Sequence, residues 1–108
     1  MGEPMIPSSL PIPAIHIPAR HDLVDRRLTG SFWIGPPDPD EVGARWMWFV
    51  CPCGCGQMRP ITIGDRFKPA EAPSWYWNGS LTEVTLHPSV NCEGHWHGWL
   101  RGGQWVLA

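Results

Sequence analysis

The sequence has no apolar run near the roughly 20 residues that a bilayer-spanning helix requires. Its first segment carries acidic Glu3 where a secretory signal carries basic residues, and prolines at positions 4, 7, 11, 13 and 18 break it throughout. The expectation is a cytoplasmic chain with no membrane partner. A charge excess is missing too: eight Lys and Arg against ten Asp and Glu leave a formal charge of -2. Such a balance gives no general attraction to phosphate, so nucleic acid is not an expected partner. Tyrosine and phenylalanine are scarce, with one and three copies, and packing falls to eight tryptophans set among 13 prolines and 12 glycines. Several catalytic signatures are absent as well. There is no Gly-x-Ser-x-Gly elbow, no glycine-rich phosphate loop, no His-Glu-x-x-His, and no deaminase-type His-x-Glu with Pro-Cys-x-x-Cys.

What is present reads as a mainly β, single-domain, antiparallel fold of 108 residues. Residues 1–30 form a Pro-rich extended arm, with Ile6, Leu10, Ile12, Ile15 and Ile17 as apolar groups and a short helix over Ala19 to Leu28. Residues 31–108 form the β domain. Strands are expected over Ser31 to Ile34 and Arg45 to Val50, separated by the proline-rich stretch from Gly35 to Asp40. The unalternating run Trp46-Met47-Trp48-Phe49-Val50 predicts a central strand covered on both faces. Met58 to Ile63 predicts a strand that Pro60 confines to an edge or a bulge. Asn78-Gly79 predicts a two-residue turn between strands Ser74 to Trp77 and Ser80 to Leu86. A last hairpin is expected from Trp96 to Leu100 and Gln104 to Leu107.

The four cysteines fall in two places, three of them inside Cys51-Pro52-Cys53-Gly54-Cys55 and the fourth at Cys92. Disulfides fit this spacing poorly. One bond would have to join neighbours within the Cys51 to Cys55 run, where an extended pair lies near the limit of acceptable separation and Pro52 restricts the turn. Thiolates on a Gly-containing knuckle instead converge on one point, and Cys92-Glu93-Gly94-His95 has the spacing that completes a tetrahedral zinc site. One structural zinc ion is expected, with Cys51, Cys53, Cys55, Cys92 and His95 as five candidates for four places and His87 or His97 as substitutes. With three thiolates and an imidazole bound, the ion's charge is more than neutralised and no position stays open for substrate. Were only three side chains to bind, Glu93, His87 or His97 would be placed to move protons.

The run Trp48-Phe49-Val50-Cys51-Pro52-Cys53-Gly54-Cys55-Gly56, then Ser80-Leu81-Thr82, Leu86-His87-Pro88-Ser89-Val90 and Cys92-x-x-His95, resembles the family catalogued as domain of unknown function 6527. That resemblance covers Arg45 to Trp105. It implies a metal-binding β domain found in phages, prophages and operons near ubiquitin-like conjugation genes, with no known reaction attached.

Two functions follow as expectations. The first is a zinc-stabilised protein-binding module, phage or mobile-element encoded, whose partner is another protein such as a host defence component. Its contact residues are Trp75, Trp77 and Trp99, because tryptophan buries a large area while keeping an N–H donor. The alternative is a zinc-dependent hydrolase or an accessory enzyme of a ubiquitin-like conjugation system.

Overall fold

The computed structural model describes residues 10–108, so Glu3, Ile6 and the prolines at 4 and 7 lie outside the described residues. The chain runs β1 (Ile12–Pro13), β2 (Ile15–His16), α1 (Arg20–Arg26), β3 (Ser31–Pro37), β4 (Ala44–Val50) and β5 (Met58–Asp65). It continues through β6 (Trp75–Trp77), β7 (Leu86–His87), β8 (Val90–Cys92), β9 (Trp96–Arg101) and β10 (Gln104–Leu107). The fold is mainly β, as the composition predicts. No helix among the described residues is long and apolar enough to cross a membrane.

The strands make two sheets, one ordered β1-β10-β9-β8 and the other β2-β3-β4-β5-β6-β7. Most neighbours are antiparallel, but β2 runs parallel to β3 and β5 parallel to β6. The proline-rich segment joins both sheets: Ile12 sits opposite Trp105 and, three residues later, Ile15 sits opposite Ser31. Proline suits this place because short extended pieces at sheet edges ask little of a backbone N–H.

Between the sheets lies one apolar core. Phe32, Met47, Phe49, Ile63 and Leu86 from the larger sheet meet Val90, Trp96, Leu100 and Trp105 from the smaller. Trp105 is fully buried, packs edge-on against Trp96 at 5.6 Å between ring centroids, and donates its indole N–H to Gly30 O at 2.9 Å. A buried indole therefore has its polar atom satisfied. A second, smaller cluster of Ile17, Leu23 and Val50 lies under α1, with Trp33, Trp48 and Met58 around it. The helix is short and lacks a side-chain N-cap, so Leu23 in this cluster does most to hold it. Arg27, in the left-handed conformation, ends it.

Two local expectations are corrected and one holds. Strand β4 is central, but its faces differ: Met47 and Phe49 enter the core while Trp46 stays 44% exposed. Pro60 lies in β5 opposite Trp48, on a local edge as expected. It is tolerated because β6 pairs only with Ile63 and Asp65, leaving Met58 to Thr62 as an open edge. Asn78-Gly79 does not close a two-residue hairpin, since β6 pairs with β7, which begins only at Leu86. The Asn78 side chain takes N–H groups from Ser80 and Thr85 and donates to Glu83 O, and so satisfies a longer loop from within.

Gly98 is where packing is tightest. A Cβ built there would stand 2.1 Å from Val106 O and 2.7 Å from the Trp96 ring. Gly98→Ala is expected to cost about 3 kcal/mol, the upper range for overpacking. Gly102→Ala, in open space at φ 55°, should cost about 1 kcal/mol. Urea unfolding of the two variants checks this, and equal midpoints would refute the packing account.

Candidate active site and metal centre

The Cys51 to Gln57 segment leaves β4 and turns back into β5, and its backbone is organised around sulfur. Two of the thiols accept an amide N–H from two residues on: Cys55 N–H points to Cys53 Sγ at 3.3 Å and Gln57 N–H to Cys55 Sγ at 3.4 Å. Such repeated turns need positive φ, and Gly54 and Gly56 supply it at 93° and 83°. The three sulfurs consequently lie within 4.8 Å of one another, a cluster able to hold a metal ion. Cys92 packs in the same buried cluster as Cys51, and His95 Nδ1 lies 3.8 Å from Cys53 Sγ. Of the five predicted ligands, three share one thiol cluster and His95 reaches its rim. Among the described residues every cysteine is a free thiol.

The electrostatics match a site that awaits a cation. Burial pushes the thiols of Cys51 and Cys92 above their ordinary range. Cys53, though open along one side, is pushed up to about 11, first by desolvation of its sulfur and then by its contacts with Cys51 and Cys55. Cys55 goes the other way, held down mainly by the Gln57 N–H. Buried thiols do not ionise together unless a positive ion compensates them, and amide donors favour the thiolate once it forms.

The remaining predicted residues lie elsewhere. Trp77 is only 6% exposed and donates to Ser80 O. Trp75 is half-buried and donates its indole N–H to Ser89 O at 3.1 Å. Trp99 is half-buried beneath the Arg101 guanidinium, 4.5 Å from the ring centre. His87 is exposed beside Tyr76, with 5.8 Å between ring centroids, and Glu93 is exposed in the Cys92 to His95 turn.

His97 lies on the opposite face of the hairpin from Cys92. Strands β8 and β9 pair with Cys92 opposite Trp96, Asn91 opposite His97 and Val90 opposite Gly98. Side chains alternate, so Val90 and Cys92 face the interior while Ser89, Asn91, His97 and Trp99 share the outer face. Ser89 and His97 are diagonal neighbours there, and His97 Nε2 lies 3.1 Å from Ser89 Oγ. With the proton on Nδ1, Nε2 accepts the serine hydroxyl, the arrangement that activates a serine nucleophile.

Other serines are engaged differently. Ser31 and Ser74 are buried and donate to Leu28 O and Pro69 O, and Ser80 Oγ accepts Glu83 N–H. Lys68 Nζ reaches Ser74 Oγ at 3.2 Å, but that hydroxyl is closed to substrate.

Reading the sequence for nucleophile motifs passes over this pair, because it belongs to no contiguous signature. The available signal was the alternation Ser89-Val90-Asn91-Cys92 joined to Trp96-His97 by a short Gly-containing turn, which aligns the outer residues of a hairpin.

A family model described as "BubE: Bacterial ubiquitination-like system serine protease" matches residues 19–108. No curated protein and no solved structure matches the chain. The knuckle predicts distinct behaviour for its two rim groups: Cys92→Ser, which removes a buried sulfur, should abolish metal retention. His95→Ala, at an exposed rim position, should keep the ion. Metal content after gel filtration, read by atomic emission, checks both, and retention by Cys92→Ser would contradict the assignment.

Proposed function

We propose that this chain, which belongs to the BubE family of bacterial ubiquitination-like systems, is a serine hydrolase that cleaves an amide bond in a protein of such a system, with Ser89 as nucleophile and His97 as base. The carrying observation is the 3.1 Å contact between His97 Nε2 and Ser89 Oγ on an open strand face. Support comes from the family description, which names a serine protease. The reading develops the expectation of an enzyme within a ubiquitin-like system and gives the chemistry to serine.

In this mechanism Ser89 Oγ attacks the scissile carbonyl carbon while its proton passes to His97 Nε2. The tetrahedral intermediate collapses as the imidazolium returns that proton to the leaving nitrogen. Water, deprotonated by the same imidazole, then hydrolyses the acyl-serine and restores both residues. Asn91 lies directly across from His97 on the same face, and its carboxamide is the side chain placed to donate to the developing oxyanion.

The metal belongs to the other face of the hairpin. The cluster of Cys51, Cys53 and Cys55, with Cys92 or His95 as the fourth donor, suits zinc, which favours four sulfur or nitrogen ligands in a tetrahedron. When bound, the ion supplies a cross-link between the β4–β5 connection and the β8–β9 turn. Structural zinc contributes about 10 to 16 kcal/mol of apparent binding free energy in small fingers, comparable with the stability of a whole domain. The resemblance to domain of unknown function 6527 rests on these same knuckle residues, and both descriptions point to ubiquitin-like conjugation.

A fluorophosphonate probe should label the protein at Ser89, and Ser89→Ala should abolish labelling. His97→Ala should slow it by about 10³-fold, within the range for loss of a catalytic base. Asn91→Ala should lower turnover of a cleaved substrate by about 10²-fold with KM kept. Labelling of Ser89→Ala at the rate of the natural protein would end the serine reading.

A further inference from the structure

Two grooves flank Trp75 along the open edge of β5. One, of about 290 Å³, is lined by Gln57, Met58, Arg59, Val90 and Asn91 among others. The other, of about 420 Å³, is lined by Asp38, Glu41, Trp46, Thr62 and Glu71 among others. Pro60, Ile61 and Trp75 border both, so the two adjoin as the halves of a trough. It passes the nucleophile segment, because Trp75 bonds to Ser89 O and Val90 and Asn91 line the first half. Over Met58 to Thr62 strand β5 pairs only with β4, which leaves an unpaired edge beside the trough for an extended chain to follow.

The trough is polarised. Three carboxylates, from Asp38, Glu41 and Glu71, line one half and Arg59 lines the other. Arg59 has no carboxylate partner among the described residues, whose ion pairs are His21 with Asp22 and Arg66 with Asp65. Its guanidinium donates to Gln57 Oε1 at 3.0 Å, and its Nε is closed off from solvent without a hydrogen-bond acceptor. A guanidinium carries five donors, so most of its capacity stays unused here. Its charge favours ionisation of the Cys55 and Cys92 thiols.

We propose that Arg59 is a specificity-determining residue that binds a carboxylate of an extended peptide substrate in the half-trough beside Ser89. This rests on the serine-hydrolase reading for what happens next, but the carboxylate site stands on Arg59 and the trough. A planar guanidinium next to an acyl-transfer nucleophile is suited to two-point capture of a carboxylate. The acidic half repels the same group, so it fixes the direction in which a chain lies. The carboxylate is supplied either by a chain terminus or by an Asp or Glu side chain, and both present the same two oxygens.

The test titrates the metal-loaded, ¹⁵N-labelled full chain with three probes: acetyl-trialanine as the free acid, its carboxamide, and acetyl-Ala-Glu-Ala carboxamide. The indole N–H resonance of Trp75, in the trough wall, reports binding. At least one carboxylate probe should bind about tenfold tighter than the neutral peptide, the value of one charge-assisted contact. Preference for the free acid assigns the terminus, and preference for the Glu peptide assigns a side chain. In Arg59→Gln the preference should vanish with metal content unchanged, and Arg59→Lys should restore part of it. Equal binding of all three probes, or a preference that survives Arg59→Gln, overturns the proposal. So does loss of the metal in Arg59→Gln, which would give the arginine to the thiolates alone. Because binding is read without turnover, Ser89→Ala should keep the preference. Hydrolysis that persisted in Ser89→Ala would sink the dyad and leave the carboxylate site standing.

Discussion

The register of the β8–β9 hairpin is the constraint on which the rest of the molecule depends. Pairing Cys92 with Trp96 sets Asn91 against His97 and brings Ser89 within reach of the imidazole. A slip of one residue would turn Cys92 outward and His97 inward, which would undo the thiol cluster and the dyad together. The turn that fixes this register is tight, with His95 N–H bonded to Cys92 O at 2.7 Å, and Gly94 takes φ 79° within it. Cys92 then packs in the same buried cluster as Cys51 and so ties the hairpin to the end of β4. The interaction that organises the fold and the one that organises the chemistry thus lie on the same few residues.

That tie spans the two sheets. Strand β4 belongs to the larger sheet and β8 to the smaller, and the core between them rests on Phe49, Trp96 and Trp105. A small domain with proline-interrupted strands buries limited area, and a local cross-link at this point offsets part of the entropy of ordering it. The knuckle is also tied to α1, since Arg27 Nη1 donates to Gly56 O at 2.9 Å. Helix end, knuckle and hairpin turn therefore support one another, although they are far apart in the chain.

Much of this was legible in the residues. The β content, the strands around Trp48 and Phe49, the last hairpin and the clustering of Cys51, Cys53 and Cys55 follow from alternation, turn chemistry and metal-ligand spacing. The pairing of β5 with β6 was not legible, because a parallel contact leaves no local signature in either strand. Nor was the Asn78 loop, where a side-chain amide replaces the backbone bonds that a tight turn would have made. The Ser89–His97 pair escaped for a related reason: it is a diagonal contact across a hairpin, and its visibility depends on knowing the register first. Searching for a histidine near the cysteines placed His97 among the ligand substitutes, whereas the pleat sends it to the opposite face from Cys92.

On the proposed reading, the same pleat explains how a chain with four cysteines leaves its nucleophile role to a serine. A thiolate is intrinsically the stronger nucleophile, and an unligated cluster beside the imidazole would compete for its proton and for the substrate carbonyl. Alternation along β8 separates the two chemistries by a single residue: Cys92 points inward to the knuckle, Asn91 outward to the dyad. A metal bound on the inner side would tie up the sulfurs and stiffen the strand that presents Ser89. The thiols then act on the reaction only through the position of the backbone, so a damaged knuckle and a damaged dyad should differ in kind. The first loses the fold that holds the serine, and the second loses only the base or the nucleophile within an intact fold.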